Sequence, residues 1–270
     1  MKAGSRTGAV TALAGALALA SFTAPAAQAA DTGMTVSRIV INGGKPIVVG
    51  TTNEQTPPIT FRISLPSGYS TAHPGRYGVD LFLYHGTTAA KGAERDALFL
   101  GDATCNAVSD RVDDCTGHMR VWPDNLRSNS DATTWKIGAL ARLYGSNAHI
   151  NAEEYLTPPG AVQVKRWAKA TVNASPEPVT KGKTITVTGN LTRADWATHK
   201  YTGVAQGLAH LQFCKKGSSV YTTVKSVRSS STGALKSTVT ASADGYWRWS
   251  FGGWDTTGSA NSAADYVDVR

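Results

Sequence analysis

The chain has 270 residues, with 27 Lys and Arg against 19 Asp and Glu, a formal charge of +8, and only three cysteines. Once a leader is set aside, about 240 residues remain, enough for two ordinary domains with cores of their own. Twenty-seven glycines, abundant Ser and Thr and few helix-favouring charged runs point to an all-β chain. Beyond the leader no stretch is apolar enough to span a bilayer.

Residues 1–29 carry Lys2 and Arg6, an apolar run from Ala9 to Phe22, and the small pair Ala27 and Ala29. That order reads as a secretory signal peptide cleaved after Ala29, with no Cys following to be lipidated, so a secreted, extracellular, unanchored chain is expected. Charge is uneven along the remainder. Residues 31–164 hold 11 basic against 13 acidic side chains, and residues 165–270 hold 14 against 6. A basic second half favours solubility first and attraction to anionic polymers second.

In chain order, strands are predicted over Val36–Ile41 and Pro46–Val49, separated by Asn42-Gly43-Gly44. Ile59, Phe61, Ile63 and Leu65 share one face of the next strand, which Pro66-Ser67-Gly68 stops. A loop over 67–77 leads to Val79–Tyr84, and further strands are predicted at Ala97–Leu100, Thr116–Trp122 and Thr134–Tyr144, the last apolar on both faces. Ala161–Lys165 closes the first half. The run from Val162 to Ala174 contains neither Gly nor Pro, which predicts a stiff junction near Arg166 and places Ser175–Pro178 as a turn inside the second domain. That domain shows alternating segments at Thr184–Leu191, His210–Cys214, Tyr221–Val227 and Leu235–Ala241. It is organised around residues 242–253, where Asp244-Gly245 turns into a strand that alternates Trp247, Trp249 and Phe251 with Arg248 and Ser250. Asp265–Val269 ends it.

Asp131 before Trp135 and Asp244 before Trp247 each resemble the corner entering the penultimate strand of an immunoglobulin-like sandwich. The expectation is therefore all-β: a signal peptide at 1–29, an N-terminal β-sandwich at 30–166 and a C-terminal immunoglobulin-like β-sandwich at 167–270. Residues 171–189, Leu211–Ser219, Asp244–Arg248 and Asp265–Val269 resemble a family of secreted actinobacterial proteins with a C-terminal immunoglobulin-like domain, often catalogued as uncharacterised or calcium-binding. The similarity runs from Ala168 to the end and only loosely before it. Its motifs identify a scaffold rather than a catalytic site, and Cys214 stands where such proteins look as if they carry a basic residue.

Cys105 and Cys115 bracket a predicted loop, 106–114, and are expected to form a hairpin disulfide. Cys214, facing away from Leu211 and Phe213, is expected to be a solvent-facing free thiol, with a disulfide-linked dimer as its functional use. Asp110, Asp113 and Asp114 crowd the cysteine loop and could offer oxygen ligands to calcium. The spacing lacks the Gly and the bidentate Glu of an EF-hand loop, and a solvated acidic loop is the favoured reading. No cofactor is otherwise expected, and no His pair or Cys-x-x-Cys suggests zinc. No Gly-x-Ser-x-Gly, Cys–His pair or glycine-rich nucleotide loop appears.

Trp196, Tyr201 and Trp254 lie in loop-like surroundings where a ring could stack on a sugar, with packing over the sandwich edge as the favoured use. Lys215, Lys216, Lys225, Arg228, Lys236 and Arg248 fall in or beside the strands of the second domain and could share one face that attracts an anionic cell-wall polymer or another extracellular macromolecule. The expected function is a secreted, non-enzymatic binding or adhesion module at or near the cell wall. The alternatives are a calcium-binding extracellular protein and an extracellular hydrolase with loop-borne carboxylates.

Overall fold

The computed structural model describes residues 31–270 apart from Asp96, so the leader expected over 1–29 lies outside the described residues. The first unit contains β1 (Thr35–Ile41), β2 (Ile47–Val49), β3 (Pro58–Ser64), β4 (Tyr77–Tyr84), the short helix α1 (Ala89–Arg95), β5 (Leu98–Ser109), β6 (Val112–Met119), β7 (Thr134–Tyr144), β8 (Ile150–Leu156) and β9 (Ala161–Arg166). The second contains β10 (Ala168–Ala170), β11 (Asn173–Ser175), β12 (Thr184–Asp195), β13 (Lys200–Gly203), β14 (Leu208–Lys215), β15 (Thr222–Arg228), β16 (Ala234–Thr240), β17 (Gly245–Phe251), β18 (Ala260–Asn261) and β19 (Asp265–Val267).

The pairing defines the fold class. In the first unit β3 pairs with β1 and β6, while β4 pairs with β7, which in turn pairs with β8 and β9. In the second, β12 pairs with β10, β11 and β16, while β14 pairs with β15 and β17, and β17 with β18 and β19. Each unit thus sets one layer of early and middle strands against a second layer of middle and late strands, the cross-chain pairing of an immunoglobulin-like sandwich. The two layers of the first unit are joined by β5, which pairs with β4 at Leu98 and Phe99 and with β6 beyond them. Both units are closed by a parallel contact: β2 runs beside β9, and Val179 bridges to Val269.

Alternation explains the cores. Trp247, Trp249 and Phe251 are buried and Arg248 and Ser250 are not, so the period-two reading of β17 holds. The double-sided apolarity of β7 has a local cause. Its inner face packs in the core, and its outer face meets a second cluster of Phe82, Tyr84, Ala89, Leu140 and Tyr155 beneath α1. Gly138 permits this, since a Cβ there would lie 2.4 Å from the Phe82 ring. The two corners differ. Asp244 Oδ1 accepts from Val269 N at 2.9 Å and ties β17 to the chain's last segment, whereas Asp131 caps a 3-10 turn through Ser128 N and offers its carbonyl to Trp135 Nε1 at 2.9 Å.

The disulfide joins Cys105 to Cys115, but not across a loop. The two residues are direct partners in a β5–β6 hairpin that extends to Ser109 and Val112, so the expected loop 106–114 is strand with a turn at Asp110-Arg111. Cross-strand pairing places the two residues directly opposite each other, with their α-carbons 4.0 Å apart.

The strands separate into two sets at Arg166, yet the cores do not. Ala194 and Trp196, at the tip of the β12–β13 hairpin, are buried in the core cluster of the first unit. Trp196 Nε1 donates to the Gly50 carbonyl at 3.0 Å, and its peptide N–H donates to Asn129 Oδ1 at 3.0 Å. Trp196, offered for sugar stacking with packing over the sandwich edge as its favoured use, is packed, as a core residue of the neighbouring sandwich.

Candidate binding groove at the junction

The junction is a single ribbon. Along Val162–Ala168 buried residues (Val162, Val164, Arg166, Ala168) alternate with half-buried or exposed ones (Gln163, Lys165, Trp167), and the period of two passes from β9 into β10 without interruption. Only Trp167 separates the two strands. Its N–H donates to the Val49 carbonyl at 2.8 Å and its own carbonyl accepts from Ala194 N at 2.8 Å, so its backbone holds both sandwiches while its side chain stays 43% exposed. The segment 254–258 braces the other side. Gln163 Nε2 donates to the Asp255 carbonyl at 2.8 Å, Lys165 Nζ to the Trp254 carbonyl at 2.9 Å, and Arg166 exchanges backbone bonds with Thr256 and Gly258.

Beneath the ribbon Arg166 is buried, with its Nε donating to the Ala194 carbonyl. Burial, reinforced by the neighbouring Arg193 guanidinium, pulls its pKa down to about 10. Arg193 is lowered by burial as well, and its Nη1 donates to Thr257 Oγ1 at 3.1 Å. The two adjacent cations donate to neutral acceptors and share Asp195 as the nearby acid, so positive charge is in excess there.

Trp167 stands as a ridge between two open grooves. One, about 560 Å³, is lined by Val48, Lys169, Thr171, Ser259 and Asn261 among others; the second, about 410 Å³, by Thr51, Thr52, Asn53, Gln55, Lys169 and Tyr201. Among the described residues, Lys169 is the only Lys, Arg, Asp or Glu lining either groove. Its ammonium lies 3.7 Å from the Tyr201 ring centroid, a cation facing an aromatic surface rather than an acid. Gly50 lets the Tyr201 hydroxyl come close, since a Cβ there would lie 3.1 Å from it. Asn53 and Gln55 satisfy part of their own polar groups through bonds among Thr52, Asn53 and Glu54, which leaves Asn53 Nδ2 and Gln55 Oε1 for a ligand.

Of the residues proposed for sugar stacking, the structure brings only Tyr201 to this groove. Trp254, 38% exposed, meets Phe251 edge-on at 5.4 Å and stands near the Arg193 guanidinium as part of the brace. Trp167 and Lys169 were missed as site residues, although the signal was in the sequence: a tryptophan out of phase with Val162, Val164 and Ala168 belongs on the wet side of its strand.

The three aspartates do not converge. Asp113 sits opposite the inward Ile63, is buried, and accepts from the Tyr77 hydroxyl, whose pKa burial and this bond raise above its ordinary value. Asp114 points to the other side of the strand and forms a two-pronged pair with Arg62 at 2.6 and 2.7 Å, which holds its carboxyl below its usual range. Asp110 lies in the turn. Alternation separates the ligands that calcium would need together, and among the described residues no three His, Cys, Asp or Glu side chains gather.

Cys214 is also corrected: its thiol is buried, with Sγ 3.2 Å from the Ser218 carbonyl. The turn after β14 folds back over it, so it is not poised for a disulfide-linked dimer.

The six basic residues do not form one face. Lys236 is in the opposite layer, paired with Thr188, and Lys225 sits opposite the inward Leu211 at the sandwich edge. Lys215 ends its strand opposite Gly245, and Lys216 pairs with Asp244 at 3.3 Å. Arg228 and Arg248 lie opposite Leu208 and Gln212, where Arg228 donates to the Gln206 carbonyl and Arg248 stacks on Tyr221 at 3.7 Å. Elsewhere, Arg142 is shared by Asp80 and Glu153, and Glu54 is taken by Arg120.

No family model and no curated protein matches the chain. Solved structures overlap it at low similarity. The fibronectin(III)-like modules of Clostridium thermocellum CbhA align at 12% identity over 86% of this chain and 92% of theirs, with a TM-score of 0.30. The D00-D0 domain of intimin aligns at 13% over 87% and 98%, TM-score 0.26, and the ectodomain of mouse nectin-like molecule 4 at 10% over 86% and 63%, TM-score 0.26. Overlaps this slight carry no functional argument. Among the described residues no helix is long and apolar enough to cross a membrane.

Proposed function

We propose that the protein is a secreted, non-catalytic binding module that holds an extended extracellular ligand, at or near the cell wall, across the junction of its two sandwiches. The observation that carries this reading is Trp167, a large ring left nearly half exposed on a backbone bonded to both units. Flat, rigid aromatics presented this way lose little conformational entropy on binding and offer a broad apolar surface. Grooves open at both ends of the ridge suit a chain that passes over it better than a small molecule enclosed by it. The test is co-sedimentation of the mature chain with insoluble peptidoglycan and with cellulose, repeated with Trp167→Ala. Retention of the wild type on either polymer, reduced at least tenfold in the variant, is expected. Retention that is equal for both proteins, or absent for the wild type on both, overturns the proposal.

A further inference from the structure

The groove also carries information about the chemistry of what fills it. Around the junction β9, β10, β12 and β13 hold Lys165, Arg166, Lys169, Arg193 and Lys200 against one acid, Asp195, while β2 and β18, which also line the grooves, carry no charge. Of these only Lys169 lines the grooves, and it lines both. Its ammonium is positioned over the Tyr201 ring with no carboxylate partner among the described residues, so the charge is oriented but not neutralised. The remaining lining is hydroxyl and amide, from Thr51, Thr52, Asn53, Gln55 and Asn261, beside two aromatic rings.

Resting on the binding reading above, we infer that the ligand is an acidic polysaccharide whose sugars carry a carboxylate. One sugar would stack its apolar ring face on Trp167, and a neighbouring carboxylate would meet Lys169. The lining groups match the parts of such a ligand one by one: a ring for the C–H face, amides and hydroxyls for the sugar hydroxyls, and a single ammonium for the acid. A neutral polysaccharide would leave Lys169 unused. A peptide strand would instead add to the outer edge of β10, which ends its sheet, and its main-chain hydrogen bonds would not depend on the Lys169 ammonium. The electropositive junction would add long-range attraction that salt screens.

The experiment compares two probes that differ only in charge, oligogalacturonate and its methyl ester, binding to the mature full-length chain by calorimetry. The acid should bind about tenfold more tightly than the ester, the size of one favourable charge contact. Lys169→Gln should erase that difference. Trp167→Ala should weaken both probes at least tenfold, and Trp167→Tyr should restore much of the loss. Both substitutions fall on solvent-facing side chains, and unchanged melting temperatures would verify the fold.

If acid and ester bind equally and Trp167→Ala weakens both, the groove reading stands and the acidic assignment falls. If the acid binds but is indifferent to Trp167→Ala, charge elsewhere on the surface is responsible and both readings fall. Binding of inorganic polyphosphate as tight as that of the acid, and equally dependent on Lys169 and Trp167, would also overturn the carboxylate assignment.

Discussion

Trp196 belongs by sequence to the second sandwich and by packing to the first, so replacing it tests whether the two fold as one. The side chain is 1% exposed. Truncating a buried tryptophan to alanine costs about 3–5 kcal/mol. The deleted indole N–H would also leave the buried Gly50 carbonyl without its 3.0 Å donor, a further penalty of about 1–3 kcal/mol. Trp196→Phe separates the two contributions, since it keeps most of the apolar volume and loses only the donor. For a chain of this size each kcal/mol moves the melting temperature by about 2–4 °C. Trp196→Ala should therefore lower the first transition by about 8 °C or more, and Trp196→Phe by about 2–12 °C. Calorimetry of the wild type should show one coupled transition, and of Trp196→Ala two, with the first sandwich melting earlier. A wild type that already melts in two independent steps, or a Trp196→Ala loss confined to the second sandwich, would refute the shared core.

Three further outcomes follow from the polar and covalent contacts. Tyr77→Phe strips the buried Asp113 of its hydroxyl donor and should cost about 1–3 kcal/mol in urea unfolding. Replacing Cys105 and Cys115 together by serine releases a closure of sequence separation 10 and should cost about 2–3 kcal/mol by the same assay. The Asp244 carboxyl is held below its usual range chiefly by the Val269 N–H, with Lys216 and Tyr266 assisting. A lowered folded pKa adds stability that is fully present above the ordinary carboxylate value and lost as pH falls through the folded one. Asp244→Asn should thus melt below the wild type at pH 7, with the gap closing below about pH 4.

What the sequence made legible was whatever alternation marks. Strands β3, β7 and β17 carry apolar residues at every second position between Pro, Gly or Asp boundaries, and each lies where the pattern puts it. Segments without that contrast were missed. The outer half of β5 is exposed on both faces, so nothing distinguished it from loop until the two cysteines were seen as cross-strand partners. Strand β8, Ile150–Leu156, is an outer strand with no fully buried residue and no clean period. The burial of Cys214 and Trp196 has another cause, invisible in their sequence neighbours: the thiol is covered by a turn folding back and the indole by a different sandwich. The aspartates Asp113 and Asp114 are separated by parity, because adjacent residues on a strand must point apart.

The parallel closures have a mechanical consequence. In each unit the early segment and the late one run side by side in the same direction, β2 along β9, and Val179–Lys181 along Asp268–Arg270, where Val179 N, Lys181 N and Arg270 N all donate across the seam. Tension that reaches the two paired segments slides one along the other, so the seam's hydrogen bonds are loaded together in shear instead of opening one at a time. With a one-residue link bonded to both units between them, there is no slack to absorb the pull before the seams bear it. A pair of units built this way holds nearly constant length under load, and yields only when a whole seam gives way.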